Sequence, residues 1–497
     1  MSWVMRKRMH QIDLFRKYPH EVQEEWLEKL ISTAQNTVFG KQHDFASIQN
    51  YEQFKAQVPI SKYEDLENAI TNIRQGKQNV LWPSETKWFA KSSGTSGSKS
   101  KFIPVTEESL IDCHFKGGKD MLSIYCDNHP ETTVFNGKSL ILGGSHEASL
   151  NEEGKEGDLS AIIMDNLPLW VNIHRTPSKD IALMNDFEAK IEKIANISSQ
   201  ENVTNIAGVP SWMLVLFKHI LKKTGAKHMH EVWPNLELYM HGGVSFTPYR
   251  ELFEQLLPNG VNYLETYNAS EGFFGIQDKD NSEEMLLMLD YGIFYEFIPI
   301  DNYNFENAIP IWKIEKDKNY ALVISTNAGL WRYLIGDTIT FTETQPYRFK
   351  ITGRISQHLN TFGEELMIDN TDKAIAIACQ KTNANVLEYS VAPIYMQEGE
   401  KGGHEWMIEF EKTPDNLEFF TYTLDDALKS VNSDYEAKRF KNMALQEPKI
   451  HLAQKGLFYQ WMKNQGKIGR QFKVPRLSNE RKHLDSLLKL NNDTLNS

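Results

Sequence analysis

The spacing of apolar residues along the first quarter of the chain predicts three helices. Apolar positions recur at helical intervals over residues 22–34, where one face is apolar and the other charged, and again over residues 62–74. Thr106 is followed by two glutamates, which is the pattern of a helix N-cap with acids in the first turn, and this helix is expected to reach Cys126.

The pattern then alternates between strands and helices. Strands and helices are predicted in turn over residues 203–209, 210–221, 236–240, 248–257 and 261–266. This alternation is typical of a parallel sheet with crossover helices, in which ligands bind beyond the carboxyl ends of the strands. The turns at 241–243 and 267–272 follow two of these strands, so they are predicted to border a binding site.

Between residues 291 and 352 the pattern changes to short β-like pieces separated by turns. These pieces are predicted over residues 294–298, 311–314, 321–324, 338–341 and 348–351, and they fit either an antiparallel sheet or a small distorted barrel. Beyond them, helices over 372–380 and 424–439 and strands over 404–410 and 449–452 indicate a small α+β domain.

The predicted fold class is therefore α/β. A large N-terminal domain, residues 1–355, would have mostly parallel sheets flanked by helices plus a small β-rich, barrel-like part. A smaller α+β lid domain would occupy residues 356–497.

Composition excludes some classes of protein. The 497 residues carry 54 Lys and Arg against 66 Asp and Glu, a net charge of −12, which argues against a nucleic-acid binder. No apolar run is long enough to span a membrane, and no signal peptide is recognised at the N-terminus. The three cysteines form no paired motif, so a cytoplasmic protein is expected.

Residues 91–101 are rich in Ser, Thr and Gly and contain three lysines. Small residues let backbone N–H groups approach an anion, and hydroxyl and ammonium groups complete such a cradle. The spacing is not that of a Walker A motif, and a flexible linker has a similar composition. Because short apolar, strand-like runs flank the segment, a phosphate-binding loop is favoured, with ATP as the expected ligand.

Three motifs together resemble the nucleotide motifs of adenylate-forming enzymes. They are the loop at 92–97, the turn at 267–271 and the Trp-Arg-Tyr-Leu-Ile-Gly-Asp sequence at 331–337. Their wording is most similar to the auxin-responsive family of acyl acid–amido synthetases, and the Gly353-Arg354 hinge and the C-terminal sequence at 471–476 also fit. The resemblance covers nearly the whole chain.

The resemblance implies two reactions. A small-molecule carboxylic acid attacks the α-phosphate of ATP, pyrophosphate leaves, and an acyl-adenylate forms. An amine, usually an amino acid, then displaces AMP to give an amide. Because a carboxylate is a poor electrophile, the acid has to be activated, and the enzyme has to hold two anions in line.

The resemblance also assigns nucleotide contacts to particular residues. The triphosphate would contact Ser92, Ser93, Gly94, Thr95, Ser96, Gly97 and Lys99, with Lys101 nearby. The rest of the nucleotide would contact Gly242, Gly243, Tyr267, Asn268, Ser270, Asp337 and Arg354. Tyr267 would stack on adenine, unless it is an ordinary strand-end aromatic residue, and Asp337 would accept hydrogen bonds from the ribose hydroxyls.

Three residues are expected to be catalytic. Glu271 would hold Mg²⁺, since a carboxylate with phosphate oxygens is the usual environment of this ion; otherwise it is a surface acid or a helix cap. Arg332 either contacts the ligand or pairs with an acid to brace its loop. Lys473 would reach the α-phosphate or the acyl oxygen, with Lys467 as the rival candidate, unless it is a surface residue.

The chain departs from the family pattern in two places. Asn268 and Ala269 replace small hydroxyl and glycine residues, which affects the expected acyl pocket, and the hinge at 362–365 lacks the lysine of some plant members. Two other functions stay open: an acyl-CoA ligase of the same superfamily, and a non-catalytic protein that binds nucleotide or acyl acid. The acid, the amine and the oligomeric state are not predicted.

Overall fold

The computed structural model describes most of the chain. The described residues are 2–92, 101–144, 155–167, 174–184, 186–243, 246, 249–355, 358–359, 361, 364, 366–395, 402–432, 435–436, 439, 445–465 and 474–495.

The described helices are distributed along the whole chain. They are α1 Ser2–Lys17, α2 Pro19–Ala34, α3 Val38–Gln42, α4 Tyr51–Gln57, α5 Tyr63–Arg74, α6 Glu107–Ser109, α7 Lys116–Asn128, α8 Leu159–Asn166, α9 Lys179–Ala182, α10 Phe187–Ser198, α11 Pro210–Thr224, α12 Arg250–Leu256, α13 Ile368–Thr382, α14 Leu417–Val431, α15 Leu457–Asn464 and α16 Lys482–Leu495. A π-helical segment, Leu110–Phe115, joins α6 to α7.

The described strands form four sheets. They are β1 Trp88–Ser92, β2 Lys101–Val105, β3 Lys138–Leu142, β4 Lys155–Gly157, β5 Arg175–Thr176, β6 Val203–Gly208, β7 Leu238–Gly242, β8 Asn262–Ala269, β9 Gly272–Ile276, β10 Met285–Leu287, β11 Ile293–Pro299, β12 Ile309–Pro310, β13 Asn319–Thr326, β14 Tyr333–Thr344, β15 Tyr347–Arg354, β16 His358–Leu359, β17 Leu366–Met367, β18 Asn385–Ile394, β19 Gly403–Lys412 and β20 Lys449–Leu452.

The largest sheet has a parallel half and an antiparallel half. Its described strand order is β12-β11-β13-β14-β15-β10-β9-β8-β7-β6-β3-β5. Strands β5, β3, β6, β7 and β8 run parallel, and the antiparallel half begins at the β8–β9 hairpin. The predicted α/β class is confirmed, and the β-rich pieces near residues 291–352 belong to this same sheet.

The chain separates into two compact units. The first comprises Met1–Gly243 and Leu257–Lys350, and the second comprises Val244–Leu256 and Ile351–Ser497. In the second unit, the β18-β19-β20 sheet buries Trp406 and Ile408 against α13 and α14, and Met407 on its opposite face against α15 and α16. The predicted boundary after residue 355 stays a prediction.

Most predicted elements are present, but the turns predicted at 241–243 and 267–272 are shorter than expected, because residues 241–242 extend β7 and residues 267–269 extend β8. Thr106 caps its helix by accepting a hydrogen bond from the Ser109 backbone, and Pro210 opens α11 at the first helical turn. Residues 311–314 are not a strand, because Ile311–Lys313 forms a short 3₁₀ helix directly after Pro310. A short apolar run has no periodicity that separates these two conformations, so its sequence alone could not decide.

Candidate functional site

Tyr267 at the end of β8 and Asp337 in β14 are in direct contact. The Tyr267 hydroxyl donates a hydrogen bond of 2.5 Å to Asp337 Oδ2, and the two residues are 6% and 7% exposed. Strands β15, β10 and β9 lie between β8 and β14 in the sheet order, so the sheet must curl to allow this contact. The curl therefore unites two motifs that are far apart in sequence.

The Tyr267 ring is also held by aromatic neighbours. Its centroid lies 4.8 Å from that of Phe274, with the rings at 61°, and 6.2 Å from that of Phe349. Such edge-to-face packing fixes the ring and directs the hydroxyl to Asp337. Stacking of Tyr267 on adenine stays a prediction, and the contact with Asp337 is a role that the sequence did not indicate.

The turn after Tyr267 carries three further predicted residues. Ser270 is buried and Glu271 is half-buried, and both lie in the tight turn that joins β8 to β9. Asn268 is exposed, yet its Oδ1 lies 3.2 Å from Nδ1 of the buried His114. A hydrogen bond from this ring to Asn268 ties the turn to the π-helical segment.

Sequence reasoning missed His114. Burial lowers the pKa of His114 to about 4, so the ring is neutral at pH 7 and its Nδ1 carries the proton that the Asn268 oxygen accepts. No local signal marks this residue, because its partner lies 154 positions away in the sequence. A π-helical turn, which often occurs at functional sites, becomes visible only in the structure.

Gly242 and Gly243 lie at the carboxyl end of β7, as predicted. A Cβ atom on Gly242 would meet the Thr266 carbonyl oxygen at 2.4 Å, so only glycine fits beside β8. Gly243 has a φ of 84°, which favours glycine for conformational reasons. Backbone therefore lines this edge of the parallel strands. Gly242 pairs with Thr266, which directly precedes Tyr267 in β8.

Arg332 is engaged inside the protein. Its Nε and Nη2 donate to the two carboxylate oxygens of Glu296 at 2.8 and 2.7 Å, and its Nη1 donates to the backbone oxygens of Lys55 and Val58 at 3.1 and 2.6 Å. Arg332 and Glu296 are 3% and 1% exposed. These contacts favour the bracing alternative over a direct contact with ligand.

The backbone at Arg332 is also unusual. Its φ of 42° lies in the left-handed region, which costs free energy for a residue with a side chain. The Arg332 N–H donates to Ser325 Oγ at 2.9 Å, and its carbonyl accepts from the Ser61 N–H at 3.0 Å. This conformation directs the chain into β14, the strand from which Asp337 contacts Tyr267.

Several predicted residues lie outside the described part of the chain. They are Ser93, Gly94, Thr95, Ser96, Gly97, Lys99 and Lys473, together with the rival Lys467. Ser92 ends β1 and pairs with Lys101 at the start of β2, so residues 93–100 connect two adjacent antiparallel strands. Arg354 is half-buried at the end of β15 and belongs to the second compact unit.

No cluster that could hold a metal ion through three or more His, Cys, Asp or Glu side chains occurs in the described ranges. Mg²⁺ beside a triphosphate is usually bound by one or two carboxylates and phosphate oxygens. The assignment of Glu271 as a Mg²⁺ ligand stays a prediction. No described helix has the length and apolar character needed to cross a membrane.

The fold is that of the acyl acid amido synthetases. The structure of AtGH3.15 acyl acid amido synthetase in complex with 2,4-DB superposes with a TM-score of 0.78 at 16% identity, covering 94% of this chain and 93% of that one. The chain belongs to the GH3 family: it matches the family's N-terminal domain over residues 8–262, its central domain over 286–354 and its C-terminal domain over 369–482. The family predicted from the three motifs is therefore confirmed.

Two plant relatives illustrate the range within the family. Indole-3-acetic acid-amido synthetase GH3.4 of Arabidopsis thaliana is 23% identical over 551 residues, covering 95% of this chain and 91% of the relative. The 4-substituted benzoates-glutamate ligase GH3.12 of the same plant is 22% identical over 553 residues, covering 94% of each. The predicted activity agrees with the activities in these names.

Proposed function

We propose that this protein activates a small carboxylic acid with ATP and transfers the acyl group to an amine, most simply an amino acid, to form an amide. The observation that carries the proposal is the hydrogen bond between Tyr267 and Asp337. It joins two of the three predicted nucleotide motifs in one buried position near the carboxyl end of β8, which pairs in parallel with β7.

The residues at this position fit a nucleotide. Asp337 accepts from the Tyr267 hydroxyl, and a carboxylate has about four lone-pair positions, so Asp337 can accept from ribose hydroxyls as well. Gly242 brings bare backbone to the strand edge, where a planar base can lie against it. The hydroxyl groups and Lys99 of the 92–99 segment, with Lys101, supply donors for the triphosphate.

Glu271 is the described residue that would hold Mg²⁺. When bound, this ion would draw charge away from the phosphate oxygens as the acid attacks. Asn268 and Ser270 precede Glu271 in the chain, and the hydrogen bond from His114 to Asn268 holds this part of the chain in place. The protein would therefore contribute the orientation of the Glu271 carboxylate.

The two proposed reactions are a substitution at the α-phosphorus and then a substitution at the acyl carbon. A carboxylate oxygen of the acid bonds to the α-phosphorus while the bond from that phosphorus to the oxygen of the leaving pyrophosphate breaks. The amine nitrogen then bonds to the acyl carbon, AMP leaves, and the amine loses a proton. Lys473 is proposed to stabilise the developing negative charge, and Arg332 acts indirectly, by bracing the loop that leads to Asp337.

The two predicted domains would have different roles in a cytoplasmic enzyme. Residues 1–355 would bind ATP and the acid, and residues 356–497 would form a lid that moves about the 354–364 segment between the two reactions. The three cysteines, Cys113, Cys126 and Cys379, are free thiols, which is compatible with the reducing cytoplasm.

Pyrophosphate release tests the proposed function. The purified protein is mixed with ATP, Mg²⁺ and a panel of aryl, indolyl and aliphatic acids, and then with individual amino acids or with coenzyme A. We expect acid-dependent pyrophosphate release and an amide product with at least one amino acid. Consumption of coenzyme A instead would identify an acyl-CoA ligase, and ATP binding without pyrophosphate release for any acid would identify a binding protein.

A further inference from the structure

Strand β2 leads directly out of the Ser/Thr/Gly-rich segment and lies at one edge of the small β2-β1-β4 sheet. An edge strand has outward-facing backbone groups that need other partners. The outward N–H of Phe102 donates a 2.9 Å hydrogen bond to the Tyr63 hydroxyl at the start of α5. The neighbouring Lys101 has its Nζ 5.5 Å from the centroid of the Tyr63 ring.

Phe102 is also in contact with Arg74, at the other end of α5. The guanidinium carbon of Arg74 lies 3.9 Å from the centroid of the Phe102 ring, which is a cation–π contact. Arg74 Nη2 also donates to Glu156 Oε1 in β4. Arg74 therefore joins β2 to β4, the strands on either side of β1, and the two contacts with Phe102 come from opposite ends of one helix.

Ser61, two residues before the first residue of α5, is hydrogen-bonded to the sequence at 331–337, here called the ribose motif. Ser61 Oγ donates to the Trp331 carbonyl at 2.7 Å, the Ser61 N–H donates to the Arg332 carbonyl at 3.0 Å, and the Ser61 carbonyl accepts from Leu334 N–H at 2.9 Å. These three hydrogen bonds pair Ser61 with the segment that continues into Asp337. The helix itself is anchored in the core through Leu66, Ile70 and Ile73.

We propose that residues 61–74, here called the α5 segment, set the position of strand β2, which follows the predicted triphosphate-binding residues, relative to the ribose motif. Tyr63 and Arg74 are positioning residues for the β- and γ-phosphates, which they affect through Phe102 and Lys101. The inference rests on the proposed function, because it takes ATP as the ligand of both motifs. Ser61 is bonded to the ribose motif, and Tyr63, two residues further on, is bonded to β2, while Arg74 holds Phe102 from the far end of the helix, so one short segment fixes the two motifs relative to each other.

Tyr63→Phe tests this proposal with a readout that general destabilisation does not give. The variant keeps the ring beside Lys101 and removes the oxygen that accepts from Phe102. ATP and AMP binding are measured by titration calorimetry on the full-length protein, and thermal unfolding is recorded in parallel. We expect the Kd for ATP to rise about fivefold to tenfold while the Kd for AMP, which lacks the two outer phosphates, is unchanged.

Arg74→Lys provides a second variant in case the first does not fold. It keeps the positive charge for Glu156 but loses the planar face on Phe102, so we expect the same selective loss of ATP binding. Tyr422→Phe is the matched control, because Tyr422 is 61% exposed and lies in α14 of the second compact unit. It should change neither Kd.

An equal loss of ATP and AMP binding, or unchanged binding of ATP, would overturn the positioning role. If the unaltered protein binds ATP but releases no pyrophosphate with any acid, the catalytic proposal fails while the ATP-to-AMP comparison still decides this inference. Failure of the unaltered protein to bind either nucleotide would overturn both.

Discussion

Tyr267 and Asp337 are 70 positions apart in the sequence, yet the Tyr267 hydroxyl lies 2.5 Å from Asp337 Oδ2. A hydrogen bond to a charged, buried acceptor is shorter and stronger than one between neutral groups. In the proposed complex it fixes the carboxylate that receives the ribose, so the two motifs act as one unit.

Tyr267→Phe removes this hydrogen bond and keeps the ring among its aromatic neighbours. The Asp337 carboxylate loses a donor and becomes less well oriented, so we expect KM for ATP to rise about threefold to tenfold with little change in KM for the acid. Steady-state pyrophosphate release measures both constants. Tyr422→Phe, at a position that is 61% exposed, is the control, and equal constants for all three proteins would contradict the assigned role.

Glu271→Gln tests the predicted Mg²⁺ ligand. The amide keeps the shape of the side chain but lacks the negative charge that binds the ion, so we expect the Mg²⁺ concentration for half-maximal activity to rise about tenfold or more. Titration of Mg²⁺ at saturating ATP and acid measures this. Glu306→Gln, at an exposed position, should behave as the unaltered protein does. An unchanged Mg²⁺ dependence for Glu271→Gln would remove this residue from the metal site.

Arg332→Ala should destabilise the fold rather than act only on catalysis. The change leaves the Glu296 carboxylate buried without its cation, with the Tyr51 hydroxyl as its described remaining donor. Breaking a buried ion pair in this way typically costs about 3–5 kcal/mol. Thermal unfolding should show a large loss for the single variant and a smaller one for Arg332→Met combined with Glu296→Leu.

Direct contact of Arg332 with ligand gives a different result. The single variant would then lose activity while unfolding at the same temperature as the unaltered protein, and the double variant would be no more stable than the single one.

His114 should make the stability of the first compact unit depend on pH. Its pKa is lowered to about 4 in the fold, below the ordinary value of 6.5, because burial disfavours the charged ring. The unfolded chain therefore binds a proton that the folded protein does not, and stability is lost as pH falls from 6.5 towards 4. This loss reaches about 3 kcal/mol by pH 4.

His114→Gln isolates this contribution from the carboxylates that titrate in the same range. The amide can still donate to Asn268 but does not titrate, so the variant should lose less stability than the unaltered protein between pH 6.5 and pH 4. Parallel curves of unfolding temperature against pH for the two proteins would show that His114 is not buried in this way.

The sequence indicates those parts of the site that consist of local motifs. Gly242 and Tyr267 lie near the carboxyl ends of β7 and β8, two strands that their apolar runs predict, and Asp337 ends a distinctive motif, so their positions in the fold could be predicted. The partners of Arg332 and His114 could not, because Glu296 and Asn268 are 36 and 154 positions away and reach them only through the curl and packing of the sheet.

The contact of the Tyr63 hydroxyl with Phe102 also could not be predicted from the sequence. Its helix was predicted from apolar spacing, which identifies the face toward the core but not the hydroxyl that meets an edge strand. The error at 311–314 has a related cause, since a few apolar residues after a proline fit both a strand and a 3₁₀ turn.

The most direct test of the central claim is a crystal structure of the protein with AMP bound. We expect the ribose hydroxyls to lie within hydrogen-bonding distance of the Asp337 carboxylate, with Tyr267 still bonded to its other oxygen and the base beside Gly242. Nucleotide bound at another place on the protein, out of hydrogen-bonding reach of Asp337, would contradict the account.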